Sequence, residues 1–543
     1  MLNSARFSWF LFVMSVFLFV CGLSQHELTQ FETRFGYFAQ TIAWQGFSFF
    51  PVLYGHPYPD YPATYPFLIY LSSLIFGKVT LFSAVWPSAL HAAGTVVLTY
   101  RLGALQKTSW GIAAVLFELG TFYFVMTARS VSLDQLVLFV TTLSFYLVYL
   151  AQYSGETCYR KWLPWVLLYG FMCRGPMGMV IPLSVVLMFD LLNADYRRLM
   201  KTLLMGMLLF LMANVCLLLL AYQTGGRDFV LQVLEMQGLG RIQKLGHYPF
   251  YFYFQQAWSN YAVTFPLACI VVAVLHRQIF RKHASADMKF IQYMVAWAGI
   301  ILLGLSIPTE KKLRYILPIT PAISLISARL ILDNSSWLLA QIRSVLLIAC
   351  AIFPWLGLFL TALLYGFGVY KQIELGASYV WAVLFLLFIL LAGRHSLRLW
   401  KEKIIRYQIK LGMGVGAFLV MIICLVQPVH AYFNRTQPFA QQLDQHHLPG
   451  QKIVFYKIGP DAEDVKLMVA LNEPTAPFFV NTPPALLALP SKTLVVAREE
   501  DYDALPESIK LHFSALYYGK IGHQKAILLI AAKRGRDEQL PIK

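Results

Sequence analysis

Apolar residues in most of this chain run together rather than alternating with polar ones. The first run, FSWFLFVMSVFLFVCGL over 7–23, is followed by others at 82–103, 110–127, 131–151, 162–173, 177–193, 202–222, 257–276, 290–306, 314–332, 344–366, 378–393 and 411–430. Several fall short of the roughly 20 residues a straight span needs, so the pattern predicts about thirteen membrane helices with loose boundaries. Pro87, Pro182 and Pro266 lie inside these runs, which packed membrane helices tolerate. The first run is read as an anchor. Bulky Phe19 and Val20 stand before Cys21, where a leader's cleavage site would need small residues.

Two stretches break the pattern. The loop 24–81 is rich in aromatic residues and proline. Within it Phe31, Phe35, Phe38 and Ile42 recur at helical spacing, which predicts a helix lying flat on the membrane. Glu32, Gly36 and Ala39 fall on a neighbouring face, where small residues beside a carboxylate are expected to leave room for a substrate. The tail, 431–543, alternates strand-like runs (452–458, 476–481, 492–497, 525–532) with a helix-like one (461–471), the pattern of a small α/β domain. The expected fold class is an all-α polytopic membrane protein with a small C-terminal α/β domain. Residues 1–430, with the loop 24–81, form the membrane domain, and 431–543 the second domain.

Composition agrees. Hydrophobic residues make up 58% and charged residues 13%, against roughly 45–50% and about 25% in soluble chains. Mean hydropathy is +0.59. These values exclude a soluble enzyme, a disordered chain and a secreted disulfide scaffold. The net charge of +17 first suggests cytoplasmic loops rather than nucleic-acid binding. Arg6 precedes the first run, and every second loop is basic, as at Arg197, Arg198 and Lys201 or Arg277, Arg281 and Lys282. That alternation puts the N-terminus inside and, with an odd number of spans, the tail outside. In a bacterium this means the inner membrane with a periplasmic C-terminal domain. The seven cysteines are scattered, so neither a disulfide framework nor a zinc cluster is expected.

Cations on the outer side need a separate reason. This orientation places Arg34, Arg129, Arg174, Arg241, Lys244, Lys311, Lys312 and Arg314 there. Any one of them is explained by snorkelling, but as a group they suggest an anionic head group such as a phosphate, which arginine grips bidentately. Three polar clusters carry the chemistry. The loop holds Glu32, Arg34 and, in PYPDYP, Asp60; TARSVSLDQL (127–136) holds Arg129 and Asp134; PTEKKLRY (308–315) holds Lys311, Lys312, Arg314 and Tyr315. Two turns add Arg174 in CRGPMG and His247 in GHYPFYFYF. His91 is read as a core histidine.

In order and topology these motifs resemble a bacterial lipid-carrier-dependent glycosyltransferase of the C-type membrane fold, related to aminoarabinose transferases and protein O-mannosyltransferases. The resemblance spans roughly 7–330 and rests on ETRF (32–35), YPDYP (58–62), RSVSLD (129–134), RGP (174–176), HYPFYFY (247–253) and KKLRYILPITP (311–321). It implies an enzyme that takes a sugar from a polyprenyl-phosphate donor and transfers it to a periplasmic lipid, lipid A-like, or to another envelope acceptor. Arg129, Arg174, Lys311, Lys312 and Arg314 are then the candidates for the donor phosphate. Glu32, Asp60 and Asp134 are the candidate catalytic carboxylates, and Arg34, Arg241 and Tyr315 the substrate contacts. No cofactor is required. By analogy with family members that carry a carboxylate–histidine pair, Asp60 and His247 form a candidate divalent-ion site. Two departures stand out. Phe31 occupies the place of the first member of the family's Asp-Glu pair, and Asp60-Tyr61-Pro62 stands where Glu-Lys-Pro is usual.

Two other classes fit a polytopic chain: a transporter or flippase for a lipid-linked sugar, and an inactive lipid-binding homologue. A transporter should carry ionisable groups or broken helices near the bilayer midplane, often in paired repeats. Here the charges gather at the outer boundary and no repeat is evident, which favours the enzyme.

Overall fold

Buried in hydrocarbon, an apolar segment satisfies its backbone only by coiling, and helices dominate the structure. The computed structural model describes residues 2–23, 27–28, 31–60, 62–239, 248–371, 378–448, 450–460 and 463–532. Helix α1 (Leu2–Val20) leads to α2 (Phe31–Gln45), a short ribbon of β1 (Val52–Leu53) and β2 (His56–Pro57), and α3 (Thr64–Phe76). The bundle continues as α4 (Leu81–Gln106), α5 (Thr108–Leu119), α6 (Phe122–Ala128), α7 (Leu133–Ser154), α8 (Leu163–Arg174), α9 (Pro176–Leu192) and α10 (Tyr196–Leu234). Its second half comprises α11 (Phe252–Asn260), α12 (Thr264–Ile279), α13 (Ala286–Ser306), α14 (Thr320–Leu332), α15 (Trp337–Tyr370), α16 (Ser378–Leu399), α17 (Lys403–Met421) and α18 (Gln427–Phe433).

Each of the thirteen expected runs falls on a helix or a helix pair. By length and apolarity, however, eight described helices can cross a membrane, or ten if each of two bent pairs counts as one span. The pairs are α5 with α6, bent by 75°, and α11 with α12, bent by 113°. The runs at 162–173 and 177–193 give helices of 12 and 17 residues, the first too short for a straight span and the second at the short limit. Sequence also missed the apolar α3 inside the loop 24–81.

Small residues set the helix spacing, as is common between membrane helices. A Cβ on Gly170 of α8 would lie 2.2 Å from the Gly178 carbonyl oxygen of α9. Gly175 between them takes φ 60° and ψ −148°, a backbone state open essentially to glycine alone. This tight reversal presents Arg174 at its tip. The outer helices α15 and α16 instead expose Ile348, Phe359, Phe388 and Leu391, the faces expected to meet lipid.

The expectation of a flat surface helix at 31–42 needs correction. The helix α2 forms, but Phe35, Phe38 and Ile42 on one face and Tyr37 and Gln40 on others are all buried. It packs between α3 and a helix of the tail. Gly36 does not open space for a substrate: a Cβ there would lie 2.7 Å from Leu28 Cδ1 and 3.6 Å from Val469 Cγ1. Its smallness serves helix packing.

The tail opens with α19 (Gln437–His446) and forms a five-stranded mixed sheet around α20 (Glu463–Leu471). The strands are β3 (Val454–Tyr456), β4 (Phe478–Val480), β5 (Leu494–Arg498), β6 (Phe513–Ile521) and β7 (Gln524–Ala531), in the order β4-β3-β5-β7-β6. β3 runs parallel to β4 and β5, and β7 antiparallel to β5 and β6. Sequence reading omitted β6, whose residues are mostly exposed or half-buried at the sheet edge. The tail is docked on the membrane domain by hydrogen bonds. Tyr54 Oη donates to Asp464 Oδ2 at 2.6 Å, and Gln40 Nε2 to the Val469 carbonyl at 3.0 Å.

Candidate active site

Several stretches of the chain, among them 23–35, 123–134, 310–315 and 426–434, converge on a cavity of about 770 Å³ at one end of the bundle. The α6–α7 turn fixes one wall. There the Ser132 N–H lies 2.9 Å from both Tyr65 Oη and Ser88 Oγ, and Gln135 Nε2 donates to Thr127 Oγ1 at 2.9 Å. This buried polar lattice orients Asp134 in the first turn of α7, where the helix dipole favours a carboxylate.

Asp134 sits between two guanidiniums. Arg174 Nη2 approaches its Oδ1 at 3.1 Å and Arg314 Nε its Oδ2 at 3.4 Å. Tyr315 is buried beside the same pair, its ring 5.6 Å from the Arg174 guanidinium carbon and 5.9 Å from that of Arg314. Three segments distant in sequence thus bring two planar cations to the cavity on either side of one carboxylate. Lys312 also lines the cavity, 2.6 Å from Glu310 Oε1.

The remaining expected residues separate into those at the cavity and those not. Glu32 lines it and accepts the Val131 N–H at 3.1 Å. Asp60 lines it at 8% exposure, and Arg34 lines it with its guanidinium over Tyr58. Lys311 is not among the lining residues: its ammonium is buried against the Pro308 carbonyl at 2.6 Å. Arg129 borders the cavity, but Nε, Nη1 and Nη2 are all engaged, by the Leu18 and Cys21 carbonyls and by Gln427 Oε1. At 2% exposure it acts as a clamp on the end of α1, where a cation suits the exposed carbonyls. Arg241 and His247 lie outside the described residues, and with His247 goes one of the two ligands of the expected Asp60–His247 divalent-ion site. Among the described residues no group of three or more His, Cys, Asp or Glu side chains is placed to hold a metal. His91 is a satisfied interior histidine, with Nε2 2.7 Å from Tyr169 Oη and Nδ1 2.6 Å from the Pro87 carbonyl.

Several further residues line the cavity. Glu310 stands inside a motif singled out for its cations. Glu27 accepts the Thr436 and Gln437 N–H groups at 2.6 and 3.0 Å, so it caps α19 while bordering the cavity. Gln427, His430 and Asn434 line it from the end of the last span. Their i, i+3, i+7 spacing was legible, but nothing in the sequence says which way that face turns.

Comparisons with known proteins bear on the fold. Residues 60–222 match the family model described as dolichyl-phosphate-mannose-protein mannosyltransferase. ArnT from Cupriavidus metallidurans in the apo state superposes with a TM-score of 0.69 at 14% identity, covering 97% of this chain and 98% of that one. The same protein bound to undecaprenyl phosphate gives 0.68, covering 96% and 98%. An uncharacterized protein of Aquifex aeolicus (strain VF5) is 27% identical over 386 residues, 70% of this chain and 69% of its own length. The chain therefore has the C-type glycosyltransferase membrane fold, with its multi-pass helical body and small C-terminal sheet domain.

Proposed function

We propose that this chain is a membrane glycosyltransferase. It moves a sugar from a polyprenyl-phosphate donor to a hydroxyl of a lipid A-like lipid or other envelope acceptor, at the periplasmic face of a bacterial inner membrane. The observation that carries the reading is the Arg174–Asp134–Arg314 triad, with Lys312 alongside, opening on a cavity large enough for a sugar. ArnT, whose fold this chain shares, is seen with undecaprenyl phosphate bound, which supports the same class of donor here.

The chemistry derives from the charges. Breaking the bond between the anomeric carbon and the phosphate oxygen puts positive charge on the ring and leaves a phosphate dianion. Arg174, Arg314 and Lys312 stabilise that dianion as it forms. Asp134 holds the two guanidiniums at a fixed separation so that they need not reorganise, which makes it a positioning residue. The acceptor oxygen attacks the anomeric carbon while its proton passes to a carboxylate. Glu32 and Asp60 are the lining carboxylates assigned to that step. Phe31 removes the acid that usually precedes Glu32, so Glu32 carries this side of the cavity without it. No step is drawn through a metal ion.

The test is turnover. The full chain in nanodiscs, given radiolabelled undecaprenyl-phosphate sugars and gene-deleted envelope membranes, should yield a labelled lipid or glycan. Mass spectrometry of envelope glycolipids with and without the gene should show the same species lost. The reading fails if no donor is consumed and the two envelopes match.

A further inference from the structure

We infer that the polar face at the end of the last span, Gln427, His430 and Asn434, is a recognition wall for an uncharged pyranose ring. This rests on the transferase reading and deepens it. The donor phosphate is assigned to the triad and Lys312; the wall is assigned to sugar hydroxyls.

Three observations carry the inference. The first is placement. Gln427, His430, Ala431 and Asn434 all line the cavity, and their spacing makes them one face of a helix. A π-turn at Ile422–Val426 comes directly before them. One extra residue in a helical turn rotates the rest of the helix by about 100°, and such turns gather at functional sites. Up to Met421 the buried face of the span is mostly apolar, as at Leu411, Val415 and Leu419. Beyond the turn a polar face meets the cavity.

The second observation is fixation. Gln427 Oε1 accepts from Arg129 Nε at 3.2 Å and also from Nη2. Arg129 in turn grips the end of α1. Just past the face, the Thr436 and Gln437 N–H groups are held by Glu27. The wall is pinned at both ends, so little ordering remains to be done on binding.

The third is chemistry. The charged neighbours are already engaged, Arg129 by carbonyls and Gln427, Glu27 by backbone N–H groups. The cavity is met here by an imidazole, an amide and the Ala431 methyl. Asn434 Nδ2 donates to the His430 carbonyl at 2.9 Å. Among the described residues, neither its Oδ1 nor the His430 ring nitrogens carry a hydrogen bond. An amide and an imidazole flanking a methyl offer directional donors and acceptors for ring hydroxyls around a C–H face. The ring belongs either to the donor's sugar or to a glycosylated acceptor.

Binding by the full chain in nanodiscs tests this. Variants His430→Ala, Asn434→Ala and the double are compared with wild type, with His430→Gln as the conservative change. Undecaprenyl phosphate should bind all of them within twofold by native mass spectrometry. Saturation-transfer NMR to methyl β-D-glucopyranoside and methyl α-D-mannopyranoside should fall at least fivefold in the double variant and partly recover in His430→Gln. Undecaprenyl-phosphate glucose separates the two sources. If the ring is the donor's, the double variant loses the extra affinity this lipid shows over undecaprenyl phosphate. If it is the acceptor's, both lipids keep their affinities while the methyl glycoside signal is lost. Unchanged glycoside signal in the double variant, or none in wild type, overturns the inference. Failure of wild type to bind undecaprenyl phosphate would instead overturn the donor assignment on which it rests.

Discussion

Charged side chains are buried together at both ends of the helix bundle, and the two ends use them differently. Away from the cavity, Arg160 grips both oxygens of Asp190, with Nη1 3.1 Å from Oδ2, and Thr202 adds a hydrogen bond at 3.0 Å. Nearby, Arg329 lies 2.8 Å from Asp287 and 3.5 Å from Asp333, with its guanidinium over Trp110. There each guanidinium meets at least one carboxylate of its own, and neither cluster borders the cavity. At the cavity Asp134 pairs with two guanidiniums at once, and both line open volume. The same residue types make a structural tie in one place and, on the proposed function, an anion site in the other. Adjacent open space separates the two cases.

Breaking one member at each end separates the two roles. Arg174→Ala should lower sugar transfer about 100-fold or more, the scale of losing one preorganised charge partner of the transition state. Arg174→Lys should recover only part of it, because an ammonium pairs with Asp134 but offers no planar fork. Both are measured as turnover of a radiolabelled polyprenyl-phosphate sugar, normalised to folded protein. A full-rate Arg174→Ala enzyme would make the triad a structural tie like the other end. Arg160→Ala is the mirror experiment. It strands Asp190, which is 1% exposed, and should cost about 3 kcal/mol of stability, the lower end for breaking a buried pair. Melting of the purified protein should shift downward while turnover per folded molecule stays put.

These two ends also mark what could be read beforehand. The spans, the tail's α/β character and the cation-rich PTEKKLRY motif are local patterns of hydropathy and charge, so they were visible. Arg174 and Arg314 were rightly placed on a common face, because position at a helix end is set by span order. Lys311 and Lys312 were indistinguishable in sequence. Only the backbone course at 308–315 turns one to the cavity and the other to the Pro308 carbonyl. Arg129 looked like a phosphate ligand because sequence shows its charge but not the carbonyls of Leu18 and Cys21 that occupy it. The flat-helix expectation for α2 failed for a similar reason. Its apolar face is real, but the tail that covers the other side packs from more than 400 residues away.

A third experiment asks whether the docked tail supports the cavity end. Tyr54→Phe removes the hydroxyl that reaches Asp464, a carboxylate with no exposed surface. The loss should be about 1.5–3 kcal/mol, the range for one hydrogen bond to a charged group. Limited proteolysis should then cut the tail faster in the variant while the bundle holds. Equal cleavage rates would mean that this bond contributes little to docking.

The smallest effect belongs to an ion pair away from both ends, in the tail itself. Glu463 lies 2.9 Å from Arg498 Nη2. Burial pushes its carboxyl up, but the hydrogen bond and charge of Arg498, with help from Lys466, prevail and hold it below the ordinary carboxylate value. A carboxyl lowered on folding adds stability above its unfolded value, and that stability fades as pH falls through its folded value. Arg498 is nearly one third exposed, so solvent screening keeps the contribution below about 1 kcal/mol. Hydrogen exchange of α20 and β5, corrected for intrinsic rates, should therefore lose protection between neutral pH and about pH 4 slightly more in wild type than in Glu463→Gln. The variant should start lower at neutral pH and trace a flatter profile. Parallel profiles would show that the pair is only a surface contact, a third use of the same two residue types with neither a buried tie nor an anion site behind it.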